Sequence, residues 1–251
     1  MSNPNYTHIT AILDSSGSMS TMANETISGF NTFIKGQKEA PGKGTLTQIH
    51  FSSGRNFKEI YNVVNANANV NSLQQHPIPY WVLNDFSDVK DVAELNSGTF
   101  VPGGMTPLYD SVGRAITETG DKLSSMKEED RPEKVLFVII TDGMENSSKN
   151  YNISQIKEMI KHQEEKYSWK FIFLGANIDA VSVGSSMGIK SDSSMTYGTT
   201  QQALGGTYEL LRSKTVAVRS SPIGSADYMS AVSFNDLERR IAMTGENSAN
   251  V

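Results

Sequence analysis

The segment Leu13-Asp14-Ser15-Ser16-Gly17-Ser18 sets one carboxylate and two hydroxyls directly after the apolar run Ile9 to Leu13. That pattern predicts a divalent-cation loop at the end of a strand. A second segment, Pro102-Gly103-Gly104-Met105-Thr106-Pro107-Leu108-Tyr109-Asp110, has paired glycines that free the backbone for a tight loop. Its Thr106-Pro107 pair reads as an N-cap followed by proline at the first helical position, which presents a hydroxyl at a helix start. A third, Val135-Leu136-Phe137-Val138-Ile139-Ile140-Thr141-Asp142-Gly143, is a continuous apolar strand ending in a carboxylate and a glycine, as the C-terminal edge of a buried parallel strand does. All three loops offer oxygen ligands only, the donors that hard cations such as magnesium take.

In this order and spacing the segments resemble the metal-ion-dependent adhesion site (MIDAS) of a von Willebrand factor type A (VWA) domain, over a stretch from about Tyr6 to about Arg212. The resemblance implies a first ligand loop of Asp14, Ser16 and Ser18, a second ligand in Thr106 and a third in Asp142. The implied cofactor is Mg2+, or Mn2+ or Ca2+. The hydroxyls are neutral, so direct contact by only one of the two carboxylates leaves the complex about one positive charge and an open position. In the family that position accepts a Glu or Asp side chain from a protein partner. The implied function is a non-enzymatic, metal-dependent protein-binding module of the intracellular bacterial or viral kind. An alternative keeps the fold and treats the ion as a stabilising element of a structural or assembly subunit.

Other chemistries fare worse on the same residues. A haloacid dehalogenase-type phosphatase also begins with a strand-end Asp, but it needs a second Asp as acid/base, and here that position is Ser16. Gly184-Ser185-Ser186-Met187-Gly188 matches the nucleophile-elbow pattern, yet no histidine follows His162. Lys43-Gly44-Thr45 lacks the glycine-lysine order of a phosphate loop. His8, His50, His76 and His162 show no metal-ligand spacing and read as core or surface residues. Ser16 and Ser18 as plain capping hydroxyls are the bland reading. Glu145 and Asn146 follow Asp142 closely enough to support the site from behind its ligands, but the bland reading of exposed residues leading a helix is preferred, and neither is expected as a ligand.

Composition agrees with one substantial core: 251 residues, 37% hydrophobic and 20% charged. With no cysteine, disulfides and thiolate metal sites are excluded, and the polar start Ser2-Asn3-Pro4-Asn5 leads to a cytoplasmic expectation. No run approaches the roughly 18 apolar residues of a membrane span. A net charge of −5 and a pI near 5.4 argue against nucleic-acid or anionic-membrane surfaces and for protein partners.

The elements that must position these loops alternate. Strands are predicted at Tyr6 to Leu13, Thr45 to Phe51, Val135 to Thr141, Lys170 to Leu174 and Ser194 to Tyr197. Helices are predicted at Thr21 to Lys38, Leu108 to Ser125, Ile153 to Lys166, Asp179 to Met187 and Thr200 to Arg212. Phe57 to Asn62 is expected to form a hairpin with Thr45 to Phe51, giving an antiparallel edge, followed by an irregular Asn-rich excursion to Pro79. The expected fold class is α/β: a doubly wound, mostly parallel, Rossmann-like sheet with one antiparallel edge strand and helices on both faces. The expected division is a VWA-like domain at 1–212 and a polar extension at 213–251, carrying a docking helix near Phe234 to Met243.

Overall fold

The interior strands alternate their side chains between two apolar layers, and that fixes where everything else goes. In the computed structural model, which describes residues 3–55 and 80–246, strand β1 is Asn3–Asp14 and β4 is Pro132–Thr141. Ile9, Ala11 and Leu13 of β1, with Leu136, Val138 and Ile140 of β4, face one layer. Ile12, with Val135, Phe137 and Ile139, faces the other. Both faces are apolar because both are covered, as the unbroken hydrophobic runs require.

The remaining strands are β2 (Lys43–Phe51), β3 (Tyr80–Asp88), β5 (Lys170–Ala176) and β6 (Ser194–Tyr197). They form a single sheet in the order β3-β2-β1-β4-β5-β6, parallel throughout except for β3, which runs antiparallel to β2. Helices α1 (Ala23–Glu39) and α5 (Gln201–Ser220) pack on one face. Helices α2 (Leu108–Ser125), α3 (Ile153–Tyr167) and α4 (Ala180–Ser186) pack on the other. The architecture is therefore the expected α/β one, doubly wound with one antiparallel edge.

The antiparallel strand itself is a correction. Phe51 pairs with Tyr80 and Thr45 with Asp88, so the neighbour of β2 is Tyr80–Asp88 and not the expected Phe57 to Asn62. The latter segment, the Asn-rich stretch after it and His76 lie outside the described residues. Tyr80–Asp88 gives a weak strand signal because Asn84, Asp85, Ser87 and Asp88 dilute its apolar alternation, and Phe86 breaks the register at φ 50°.

The segment beyond Arg212 is less polar in its packing than in its composition. Helix α5 continues through Arg212 to Ser220, and α6 (Ala226–Ser230) and α7 (Asp236–Thr244) follow. Tyr228, Ala231, Val232, Phe234 and Ala242 are all buried in the layer that holds α1 and α5. The expected docking helix is α7. It covers the edge strand β6, where Arg239 donates to the carbonyls of Ser194 and Ser191 and Gly198 N–H donates to Ala242 O. Among the described residues no helix is long and apolar enough to cross a membrane.

Candidate metal centre

Strand order reverses between β1 and β4, and in open α/β sheets the crevice outside the carboxyl ends of the strands at such a point is where ligands bind. Asp14 is the last residue of β1, and Asp142 follows the last residue of β4. The topology therefore brings together two carboxylates that are 128 positions apart in the chain.

Asp14 is fully buried. Its Oδ1 accepts the Ser16 N–H at 2.7 Å and its Oδ2 accepts the Thr141 hydroxyl at 2.6 Å. Burial pushes its carboxyl up to about 6, against those hydrogen bonds and with a smaller contribution from the charge of Asp142. Asp142 is 5% exposed, and burial raises its carboxyl too. Its Oδ1 accepts the Ser18 hydroxyl at 2.6 Å, and Ser18 Oγ lies 3.2 Å from Ser16 Oγ. Thr106 comes in from the second loop: a Cβ built on Gly143 would lie 3.3 Å from Thr106 Oγ1 and 3.8 Å from Ser18 Oγ. Asp14, Ser16, Ser18, Thr106 and Asp142 thus stand around one place.

The second loop gets there by close backbone approach. Gly104 has φ +83°, and a Cβ on it would fall 2.1 Å from Ser53 O. Gly104 O accepts Gly17 N–H and Gly103 N–H donates to Ser15 O, so the glycine pair laces this loop directly to the first. Here the structure corrects a local expectation. Helix α2 has Pro107 at its N-cap with no side-chain cap, and Thr106 lies one residue before it. Its hydroxyl makes no hydrogen bond among the described residues, although Thr106 is only 3% exposed. Ser16 likewise precedes a short 3-10 helix without capping it. The bland capping readings of these hydroxyls therefore fail.

A cation fits this donor set. Two buried carboxylates and three hydroxyls converge, and no basic side chain among the described residues offsets either charge. Nor is there, among them, a group of three or more His, Cys, Asp or Glu able to hold a metal. The set is hydroxyl-rich, which suits a hard ion. His8 and His50 are buried in β1 and β2 and bond to Thr10, Thr45 and Gln48, and burial lowers both to about 3. His162 is exposed.

No protein-family model and no curated protein matches the sequence. Solved structures do. Proximal thread matrix protein 1 from the mussel byssus, in a structure described as having a zinc-occupied MIDAS motif, is similar with a TM-score of 0.53 and 13% identity over 83% of this chain and 47% of its own. The pilus adhesin SpaC from Lactobacillus rhamnosus GG gives 0.55 and 11% over 84% and 30%. A von Willebrand factor type A structure from Catenulispora acidiphila gives 0.48 and 12% over 84% and 42%. The fold is the Rossmann-like fold of VWA domains. The chain spans less than half the length of each of these structures.

Around this site lie residues that the sequence reading passed over or took to be exposed. Thr141 closes an apolar strand in the sequence, yet its hydroxyl holds Asp14 and accepts the Gly143 N–H at 3.2 Å. A hydroxyl placed directly before a strand-end Asp was the available signal. Glu145 and Asn146 do more than lead a helix. Asn146 accepts the Thr106 N–H at 2.8 Å and donates its own N–H to Thr106 O, while Glu145 accepts the Tyr109 N–H at 2.9 Å. Asp110, 2% exposed, accepts the N–H groups of Lys149, Asn150 and Tyr151.

Proposed function

We propose that this chain is a divalent-metal-dependent protein-binding module, with Asp14, Ser16, Ser18, Thr106 and Asp142 holding the ion. The observation that carries the reading is the pair of buried, uncompensated carboxylates ringed by hydroxyls at the reversal point of the sheet. Two of the similar solved structures, one described with a zinc-occupied MIDAS motif and one an adhesin, support metal dependence and protein binding. When bound, Mg2+ or a similar ion supplies an electrophilic centre for an Asp or Glu of the partner. Asp14 already uses both oxygens on Thr141 and Ser16, which supports one carboxylate acting indirectly and the ion keeping a net positive charge. Ser18 orients Asp142, and Thr106 brings an uncommitted hydroxyl. The reading is non-enzymatic. Zero cysteines support a cytoplasmic setting.

The test is thermal unfolding with Mg2+, Mn2+ or Ca2+ titrated after chelation, on wild type and on Asp14→Ala. A saturable upward shift in wild type alone supports the site; equal behaviour of the two proteins sinks it. Thr106→Ala then separates binding from assembly, since a purely structural role for the ion leaves assembly intact in that variant.

A further inference from the structure

Two carboxylates next to the site lie outside the proposed ligand set and are saturated with hydrogen bonds. Glu145 Oε1 accepts the N–H groups of Ser147 at 2.7 Å and Ser148 at 2.6 Å. Its Oε2 accepts the Tyr109 N–H at 2.9 Å and the Ser148 hydroxyl at 2.6 Å. Asp110 Oδ1 accepts Asn150 and Tyr151 N–H, both at 2.8 Å, and Oδ2 accepts Lys149 N–H at 2.9 Å and Asn150 Nδ2 at 3.0 Å. Ser148 Oγ joins the two by accepting the Asp110 N–H at 3.0 Å. Glu145 belongs to the loop that carries Asp142 and bonds to the start of α2; Asp110 belongs to α2 and bonds to the loop. Each carboxylate thus fastens the helix that follows Thr106 to the loop that follows Asp142, and each sits within four residues of a proposed ligand.

We infer that Glu145 and Asp110 are positioning residues that set which cation the site takes. This rests on the metal-binding reading above. The five of their hydrogen bonds that cross between the start of α2 and the loop, with the Asn146–Thr106 pair, fix the spacing of Thr106 and Asp142 through protein bonds alone, and three more hold Glu145 within its own loop. Bonds to an ionised acceptor are the strong ones, so the charge of each carboxylate matters as well as its shape. A spacing held this rigidly favours an ion that demands near-ideal octahedral geometry, which is Mg2+. A loosened spacing favours Ca2+, which accepts six to eight oxygens at variable angles.

The experiment uses the full chain as wild type, Glu145→Gln, Asp110→Asn and Ser148→Ala, each titrated calorimetrically with MgCl2 and separately with CaCl2 after chelation. Hydrogen exchange of the loop amides is followed in the cation-free proteins. Asn152→Ala, which breaks the cap of α3 and no bond of this network, controls for a general loss of stability. The expected result is faster exchange at Ser147 to Tyr151 and a Mg2+ affinity lower by about tenfold or more, with Ca2+ affinity changed by less than about threefold. Ser148→Ala is the mild variant and shows the same change of ratio in smaller measure if a carboxylate variant does not fold. Equal losses for both ions, an unchanged ratio, or the same change in Asn152→Ala overturns the inference and leaves the metal site standing. A wild type that binds neither ion overturns the inference together with the reading it rests on.

Discussion

Asp14 is the residue on which the site turns, because its burial is costly unless something positive shares the space. No basic side chain among the described residues does so, and its carboxyl is pushed up to about 6. A single native-state site at ten times its dissociation constant adds about 1.4 kcal/mol, or roughly 2 to 4 °C for a chain of this size. Asp14→Ala is expected to abolish that gain for every cation, read by melting with and without chelator. Thr141→Val is the subtler change. It removes a 2.6 Å hydrogen bond to the carboxylate while keeping the residue's volume, and is expected to weaken cation binding by about 1.5 to 3 kcal/mol in a titration, with the fold retained. Thr141 shows why a sequence pattern undercounts a site: a hydroxyl inside an apolar run looks like strand filler until the neighbouring strand sets a carboxylate against it.

At the level of elements, loops are held by approach distances that leave no room. Gly104→Ala puts a methyl group against Ser53 O in a left-handed conformation, and should destabilise the protein by about 2 kcal/mol or more in urea unfolding. Buried histidines on adjacent strands supply a pH dependence. His8 lies between Thr45 and Thr10 and stacks on Phe86 at 3.6 Å; His50 meets Gln48, Trp81 and Phe100. Both are held neutral in the fold, with their values lowered from 6.5 to about 3 by burial. The unfolded chain takes up protons below about 6.5 while the fold does not. Stability is therefore full above that pH and is lost progressively as pH falls toward 3. Between pH 7.5 and 6 the two histidines together should cost about 1.6 kcal/mol, a loss partly offset by Asp14, whose raised carboxyl takes up protons in the fold over the same range; the histidine share is read by urea unfolding with chelator, in the Asp14→Ala background. The loss should be about halved in His8→Gln if that variant keeps the strand pairing.

For the molecule as a whole, the segment after Arg212 is part of what keeps the sheet and helices together. Arg219, 6% exposed, donates to the carbonyl of Gln37 in the last turn of α1 and to those of Pro41 and Gly42 just beyond it, where a positive charge is favourable. Lys214 pairs with Glu238 at 2.8 Å between α5 and α7. Ending the chain after Arg212 should give a protein that aggregates or lacks a cooperative melt, read by circular dichroism and gel filtration. Sequence alone determined much here. Long apolar runs with period-two burial, and helices with apolar residues at helical spacing, specify a doubly wound sheet because each run can be satisfied only by cover on both faces. The types of the candidate donors were legible too, since carboxylates and hydroxyls at strand ends are local features. The tertiary structure alone decided that Asp14 and Asp142 meet, since this depends on β4 inserting beside β1. It also decided that Tyr80–Asp88 supplies the antiparallel edge, and that Glu145 and Asp110 bind backbone donors about 40 positions away. A side chain's local pattern shows what it can bond to, and only the approach of distant backbone shows which bonds it makes.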